Sequence, residues 1–195
     1  MALAGGSADF AIQERELYEP VETYLNVRFC EAIKPLRGEC IFKTAVTATS
    51  GRFGAGQWTR PDVALIAVWK NRFSPDIHLD LYGFEVKTTR GCNISSVHEA
   101  LAQNRLVHYS YLVWHLPASE LGNRRFTSIR ESCAACGIGL HSPNDPHSFA
   151  IHLQPQRAEP TPNAVDEFIE TRFSEPDREC ILRLLPCLHD IRRNR

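Results

Sequence analysis

"RPDVALIAVWKNRFSPDIHLDLYGFEVKTT" (Arg60–Thr89) reads as two apolar strands joined by a turn. The first covers about Asp62–Trp69 and the second about Ile77–Lys87; both are rich in β-branched and aromatic residues, and "NRFSPD" between them has turn composition. Each strand also carries an acid where a plain core strand would carry none. A carboxylate taken out of water is costly unless a cation or hydrogen-bond donors meet it, so Asp62 and Glu85 both call for a partner.

Side chains alternate across a strand, which puts Glu85 and Lys87 of "FEVK" on one face and Val86 on the other. Antiparallel neighbours lie about 5 Å apart, and Asp62 opens the strand that precedes this one, within reach of a cation shared with Glu85. Two readings are open. In one, the carboxylates, a backbone carbonyl such as that of Val86, and water oxygens hold a hard ion, magnesium or manganese. Lys87 then orients or helps deprotonate a water and stabilises charge developing on a phosphate, which is the chemistry of phosphodiester hydrolysis. In the other, Lys87 forms a structural ion pair with Asp62 or Glu85 at a sheet edge.

Upstream, "AIQERELYEPVETYLNVRFCEAI" predicts a helix over about Phe10–Glu31, capped by Ser7 or Asp9, with Leu17, Val21, Tyr24 and Leu25 on one face. Pro20 either starts this helix or kinks it. "ECIFKTAVTA" (Glu39–Ala48) predicts a first strand, and the glycines of "SGRFGAGQWTR" a mobile loop. Downstream, "SVHEALAQNRLVHY" predicts a helix capped by Ser95 or Ser96, with Ala100, Leu101 and Leu106 inward; "YSYLVWHL" follows as a buried fourth strand. "SELGNRRFTSIRESCAAC" predicts a helix closed by Gly137, then "GIGLHS" a short strand and "SFAIHLQPQ" an edge strand. "RAEPTPNAVD" reads as a polar connector. "EPDRECILRLLPCLHDIRR" reads as a last amphipathic helix that buries Ile181, Leu182, Leu184 and Leu185 and is distorted by Pro186.

That order predicts one α/β domain over residues 1–195, a mixed sheet covered by helices, with its core at about 10–153 and a connector and helix over 154–195. With 195 residues the chain can bury a core without staples, and 43% hydrophobic with 23% charged residues is the balance of a globular protein. A net charge of -1 excludes nucleic-acid binding through overall basicity, so such binding needs a local patch or a partner. No apolar run approaches the roughly 20 residues of a membrane span. "MALAGGSADF" lacks the features of a secretory signal, so a cytoplasmic protein is expected. Seven scattered cysteines then read as mostly buried thiols.

Pro61-Asp62, 22 intervening residues, then Glu85-Val86-Lys87 resembles the bipartite signature of the PD-(D/E)XK superfamily of restriction-endonuclease-like nucleases. The resemblance spans about Gln13–Leu140, because the family core runs helix, three strands, helix, strand in the same order. It implies a magnesium-dependent nuclease acting on nucleic acid, DNA first, as a homodimer or within a larger protein complex. Asp62, Glu85 and the Val86 carbonyl would hold the metal, and Lys87 would stand at the attacking water.

Such nucleases often add an acid from the first helix. Glu14 lies three residues before Leu17 and seven before Val21 and therefore shares the sheet-facing stripe; Glu22 is second, while Glu16 and Glu19 point away. Gln103 stands where many relatives place a glutamine near the metal or the substrate phosphate, a surface glutamine being the plainer reading. Thr88, Thr89 and Arg90 are candidate phosphate donors or ordinary loop surface. The same fold without catalysis, as a binding or scaffolding subunit, is the alternative function.

Other motifs compete. Cys133-x-x-Cys136, with His141, His147, Cys180 and Cys187 farther on, offers a zinc reading, against which a single tight pair reads better as small thiols packing a helix. "GRFGAGQW" lacks the lysine-serine or lysine-threonine ending of a P-loop. Arg124, Arg125 and Arg130 form a basic cluster, either a phosphate contact or a solvated helix face.

Overall fold

The computed structural model describes residues 12–34, 38–48, 60–71, 73, 76–145 and 148–184. Ser7, Asp9, the glycine loop, His147, Leu185, Pro186 and Cys187 lie outside the described residues. Six strands form one mixed sheet in sequence order: β1 (Gly38–Val46), β2 (Val63–Asn71), β3 (Ile77–Lys87), β4 (Tyr109–Trp114), β5 (Gly139–Asp145) and β6 (Ser148–Leu153). β1, β2 and β3 run antiparallel, β3–β4–β5 run parallel, and β6 returns antiparallel along the edge. Parallel neighbours need a crossover. Helices α3 (Ile94–Ala102) and α4 (Arg124–Cys136) supply the two crossovers.

The first helix, α1 (Glu14–Tyr24), passes through Pro20, widens into a π turn at Leu25–Phe29 and ends as α2 (Cys30–Ile33). It starts later than the sequence predicts, at Gln13, whose N–H donates to the Glu16 carboxylate. α1 and α2 cover one face of the sheet. Leu17, Val21, Tyr24, Leu25 and Phe29 pack there on Val63, Leu65, Tyr82, Phe84, Val86, Tyr111 and Val113. The opposite residues of the same strands meet the other helices: Leu112, Trp114 and Leu140 lie under α3 and α4, and Ala64, Ile66, Val68 and Leu81 under α5 (Pro162–Arg172) and α6 (Glu175–Leu184). β2 and β3 are thus buried on both faces, which is why they read as near-continuous apolar runs.

Several local expectations change. Asn93 caps α3 in place of Ser95 or Ser96; its side chain accepts from the Ser95 N–H at 2.7 Å. Ser96 completes the cap from the third helical position, its hydroxyl accepting from the Asn93 N–H at 3.2 Å. Ala100 is buried, and Leu101 and Leu106 are half-buried and pack on the core to either side of a 3-10 turn at Gln103–Arg105. Gly137 does close α4, in the left-handed conformation at φ 69°. The polar connector gives way at Pro162 to α5, which Thr161 caps and whose Val165 and Phe168 are buried. Ile181 of α6 is buried, but Leu182 is 58% exposed and points away from the core. Among the described residues no helix is long and apolar enough to cross a membrane.

Candidate active site

The C-terminal end of β3 gathers the charged residues. Glu85 and Lys87 share the face that looks toward α3, and the Lys87 ammonium lies 2.7 Å from Glu85 Oε1, 2.9 Å from Glu99 Oε2 and 3.9 Å from Glu14 Oε2. Glu85 is buried, and its Oε2 accepts from Gln103 Nε2 at 2.7 Å. Asp62 sits just before β2, where continuing the Val63–Phe84 register by one step sets it opposite Glu85.

The backbone of Asp62 is held by donation to the Phe84 carbonyl at 3.0 Å and by acceptance from the Thr47 N–H at 2.8 Å. Its side chain accepts from the Tyr18 hydroxyl at 3.0 Å and from the Val86 N–H at 2.8 Å. Both N–H and C=O of a strand residue point to the same edge. The Val86 carbonyl therefore shares the Asp62 side of β3.

Electrostatics follow from this crowding. Burial pushes Glu85 up to about 8, the Asp62 charge adding to it and Lys87 opposing it. Asp62 is also raised, by burial first, against the Val86 N–H, Lys87 and the Tyr18 hydroxyl. Burial works against the Lys87 charge, but Glu85, Glu99 and Glu14 outweigh it and hold the amine protonated. Tyr18 is held in its phenol form, by burial and then by the Asp62 charge. Three carboxylates, Glu14, Glu85 and Glu99, thus stand within 3.9 Å of one ammonium, with the Asp62 charge close enough to be felt by both Glu85 and Lys87, which leaves the cluster short of positive charge.

That deficit fits a hard divalent ion. The donors are all oxygen, and each carboxylate oxygen of Asp62 and Glu85 accepts one hydrogen bond and keeps a lone pair. Among the described residues no group of three or more His, Cys, Asp or Glu side chains forms a ready cage for an ion. Two carboxylates, one carbonyl and retained water are the magnesium pattern.

Of the residues singled out from the sequence, Asp62, Glu85, Lys87, Glu14 and Gln103 meet at one place. Glu16 and Glu19 are exposed, as helical spacing predicts, and Glu22 is half-buried. Gln103 is fully buried, so it is not a surface glutamine and has no exposed edge for a phosphate. Of the two threonines after Lys87, Thr88 accepts from the Gly91 N–H, and Thr89 donates to the His115 carbonyl at 2.6 Å. Arg125 pins the same loop by donating to the Arg90 and Cys92 carbonyls, with its guanidinium 5.1 Å over Trp114. Arg90, Arg124 and Arg130 are exposed.

Cys133 is buried beside Cys92 in the α3–α4 core, and burial raises both thiols to about 12. Cys30, Cys40, Cys92, Cys133, Cys136 and Cys180 are all free thiols. Two members of the charged cluster were not read from the sequence, Glu99 and Tyr18. Their signal was available: Tyr18 follows Glu14 by four residues and Glu99 precedes Gln103 by four, so each shares a helix face with a residue already singled out.

No family model matches the chain, and no curated protein matches it. Among solved structures it is similar to the SPO1766 protein of unknown function from Silicibacter pomeroyi, at 13% identity over 93% of this chain and 94% of that chain, with a TM-score of 0.46.

Proposed function

We propose that this chain is a metal-dependent nuclease of the restriction-endonuclease-like PD-(D/E)XK kind, hydrolysing phosphodiester bonds with DNA as the first substrate class. One observation carries the reading: among the described residues, the buried Glu85 and the half-buried Asp62 share a strand end with one ammonium and with two further carboxylates, Glu14 and Glu99. Such an excess of negative charge, with Glu85 withdrawn from water, is unfavourable without a cation. Asp62, Glu85 and the Val86 carbonyl would hold magnesium or manganese, with Glu14 beside them.

Bound there, the ion would supply positive charge to the phosphate oxygens and acidify a water. The chain supplies the rest. Lys87, kept protonated by its carboxylate neighbours, donates to the attacking water or to a non-bridging phosphate oxygen and stabilises the charge that builds there. Asp62 and Glu85 are clamped by hydrogen bonds, so little reorganisation accompanies the chemical step.

The test is cleavage of plasmid DNA by purified protein with magnesium or manganese, abolished by chelator. Lys87→Ala is expected to lower the rate by about a thousandfold or more, with the unfolding midpoint little changed. Equal cleavage by wild type and Lys87→Ala defeats the reading. A second reading has its own support, since the Lys87 ammonium is already engaged by Glu85 and Glu99. It makes the chain a non-catalytic binding subunit of the same fold, and metal binding without any cleavage would select it.

A further inference from the structure

We propose that α3 is the template of the charged cluster, with Glu99 and Gln103 acting as positioning residues that fix Lys87 and Glu85 and with Gly83 vacated on β3 to let Gln103 reach its place. This inference rests on the reading of Glu85 as a metal-side group and Lys87 as a water-side group, and it adds two residues, Glu99 and Gly83, to that site.

Glu99 and Gln103 are one helical turn apart and project to the same side. Each meets a different member of the pair on β3, Glu99 at 2.9 Å from the Lys87 ammonium and Gln103 at 2.7 Å from Glu85 Oε2. The two partners are themselves joined at 2.7 Å, so the four side chains close a ring across the helix and the strand. With its Oε2 taken by an amide and its Oε1 facing the ammonium, Glu85 has one orientation open to it.

Gln103 is a poor choice for packing alone. It is fully buried, and its Oε1 has no hydrogen-bond partner among the described residues. An unmet buried amide oxygen is unfavourable, and leucine or methionine would fill the space without it. What the glutamine adds is the bond to Glu85. β3 gives way to accommodate it: a Cβ on Gly83 would stand 2.7 Å from Gln103 Oε1 and 3.3 Å from both Pro61 Cβ and Val107 Cγ2. Glycine inside a strand weakens the strand and marks a close approach. Gly83 lies on the same face as Glu85, two residues before it, where that approach is needed.

The helix is also held rigidly. Asn93 caps it, and Arg125 ties down the loop between β3 and α3 through the Arg90 and Cys92 carbonyls. Groups mounted on fixed elements hold a geometry better than groups on loops.

The test has two arms, both on the full chain. In metal-free wild type, a held, hydrogen-bonded Lys87 ammonium is expected to give a resolved proton–nitrogen NMR signal, assigned by its absence in Lys87→Arg. Glu99→Gln should abolish that signal and Glu99→Asp should partly restore it, while the amide spectrum stays dispersed. In the calorimetric arm, Gln103→Met, which keeps the volume, and Gly83→Ala should each weaken manganese binding by about tenfold or more. A Lys87 signal unchanged in Glu99→Gln, or wild-type manganese affinity in both Gln103→Met and Gly83→Ala, overturns the proposal. If wild type binds no manganese and cleaves nothing while the Lys87 signal still depends on Glu99, the nuclease reading fails and the positioning role of Glu99 stands.

Discussion

Asp80 and Glu85 lie five residues apart on β3, on opposite faces, and are 3% and 6% exposed, yet they are met in contrasting ways. Asp80 has a guanidinium of its own: Arg157 stands 3.1 Å away and turns its other nitrogen to the exposed Glu159. Burial raises Asp80, and Arg157 is the main opposing influence. The arrangement straps the segment after β6 to the sheet and is complete as it stands. Glu85 is nearly as dry but shares one ammonium with two other carboxylates, Glu14 and Glu99, and lies beside the Asp62 charge. Burial of an acid therefore does not distinguish a strap from a site; the balance of charge around it does.

The largest effect tests the complete end. Arg157→Ala leaves Asp80 buried without a cation, and the loss expected is about 2–3 kcal/mol, below that of a fully buried pair because Arg157 is 40% exposed. Urea unfolding measures it. The loss should be the same with and without magnesium, and an unchanged midpoint would mean that Asp80 needs no cation.

Glu85→Gln should act in the reverse sense. In chelator at pH 8 the variant is expected to be more stable than wild type by about 1–2 kcal/mol, since it removes a buried acid whose ionisation is opposed by burial and the Asp62 charge. The pH dependence has a fixed sign. Glu85 is raised from the ordinary 4.5 to about 8, so between those values the folded chain keeps a proton that the unfolded chain has released. Wild-type stability then falls as pH rises through that window, and the variant gains most at its upper end. Magnesium should stabilise wild type and leave Glu85→Gln unmoved. A variant less stable than wild type at pH 8 would turn the Glu85 cluster into a second strap.

His141 sharpens the contrast from a third position, because among the described residues it makes no ion pair and burial is the main influence on it. Its ring is buried against Tyr24, Phe29 and Tyr111, neither nitrogen has a hydrogen-bond partner among the described residues, and burial lowers it to about 4, with His152 adding to the effect. A proton then prefers the unfolded chain: stability is full above the ordinary 6.5 and is lost as pH falls toward 4. Relative to His141→Phe, wild type should lose about 1 kcal/mol between pH 7 and pH 5.5, with no response to magnesium. A pH-independent difference would show that the imidazole is paired.

Sequence reasoning reached the strands and the charged ends of β2 and β3 because their signals are local. Apolar runs, alternation and an acid in an apolar run are all visible within ten residues. Glu14 was reachable because helical spacing sets it on the buried stripe with Leu17 and Val21. Helix α5 was not, since "TPNAV" looks like connector until Phe168 and Phe173 find the sheet, and packing then outweighs local composition. The burial of Gln103 was hidden for a related reason. The room its amide takes against β3 rests on the missing Cβ at Gly83, a long-range steric fact that no window of sequence contains.

The claim that the cluster lacks a cation is tested most directly by calorimetric titration of metal-free wild type and Asp62→Asn with manganese chloride. Wild type is expected to show one saturable binding event and Asp62→Asn to lose it or weaken it by at least about tenfold. No binding by wild type, or equal binding by both, would contradict it.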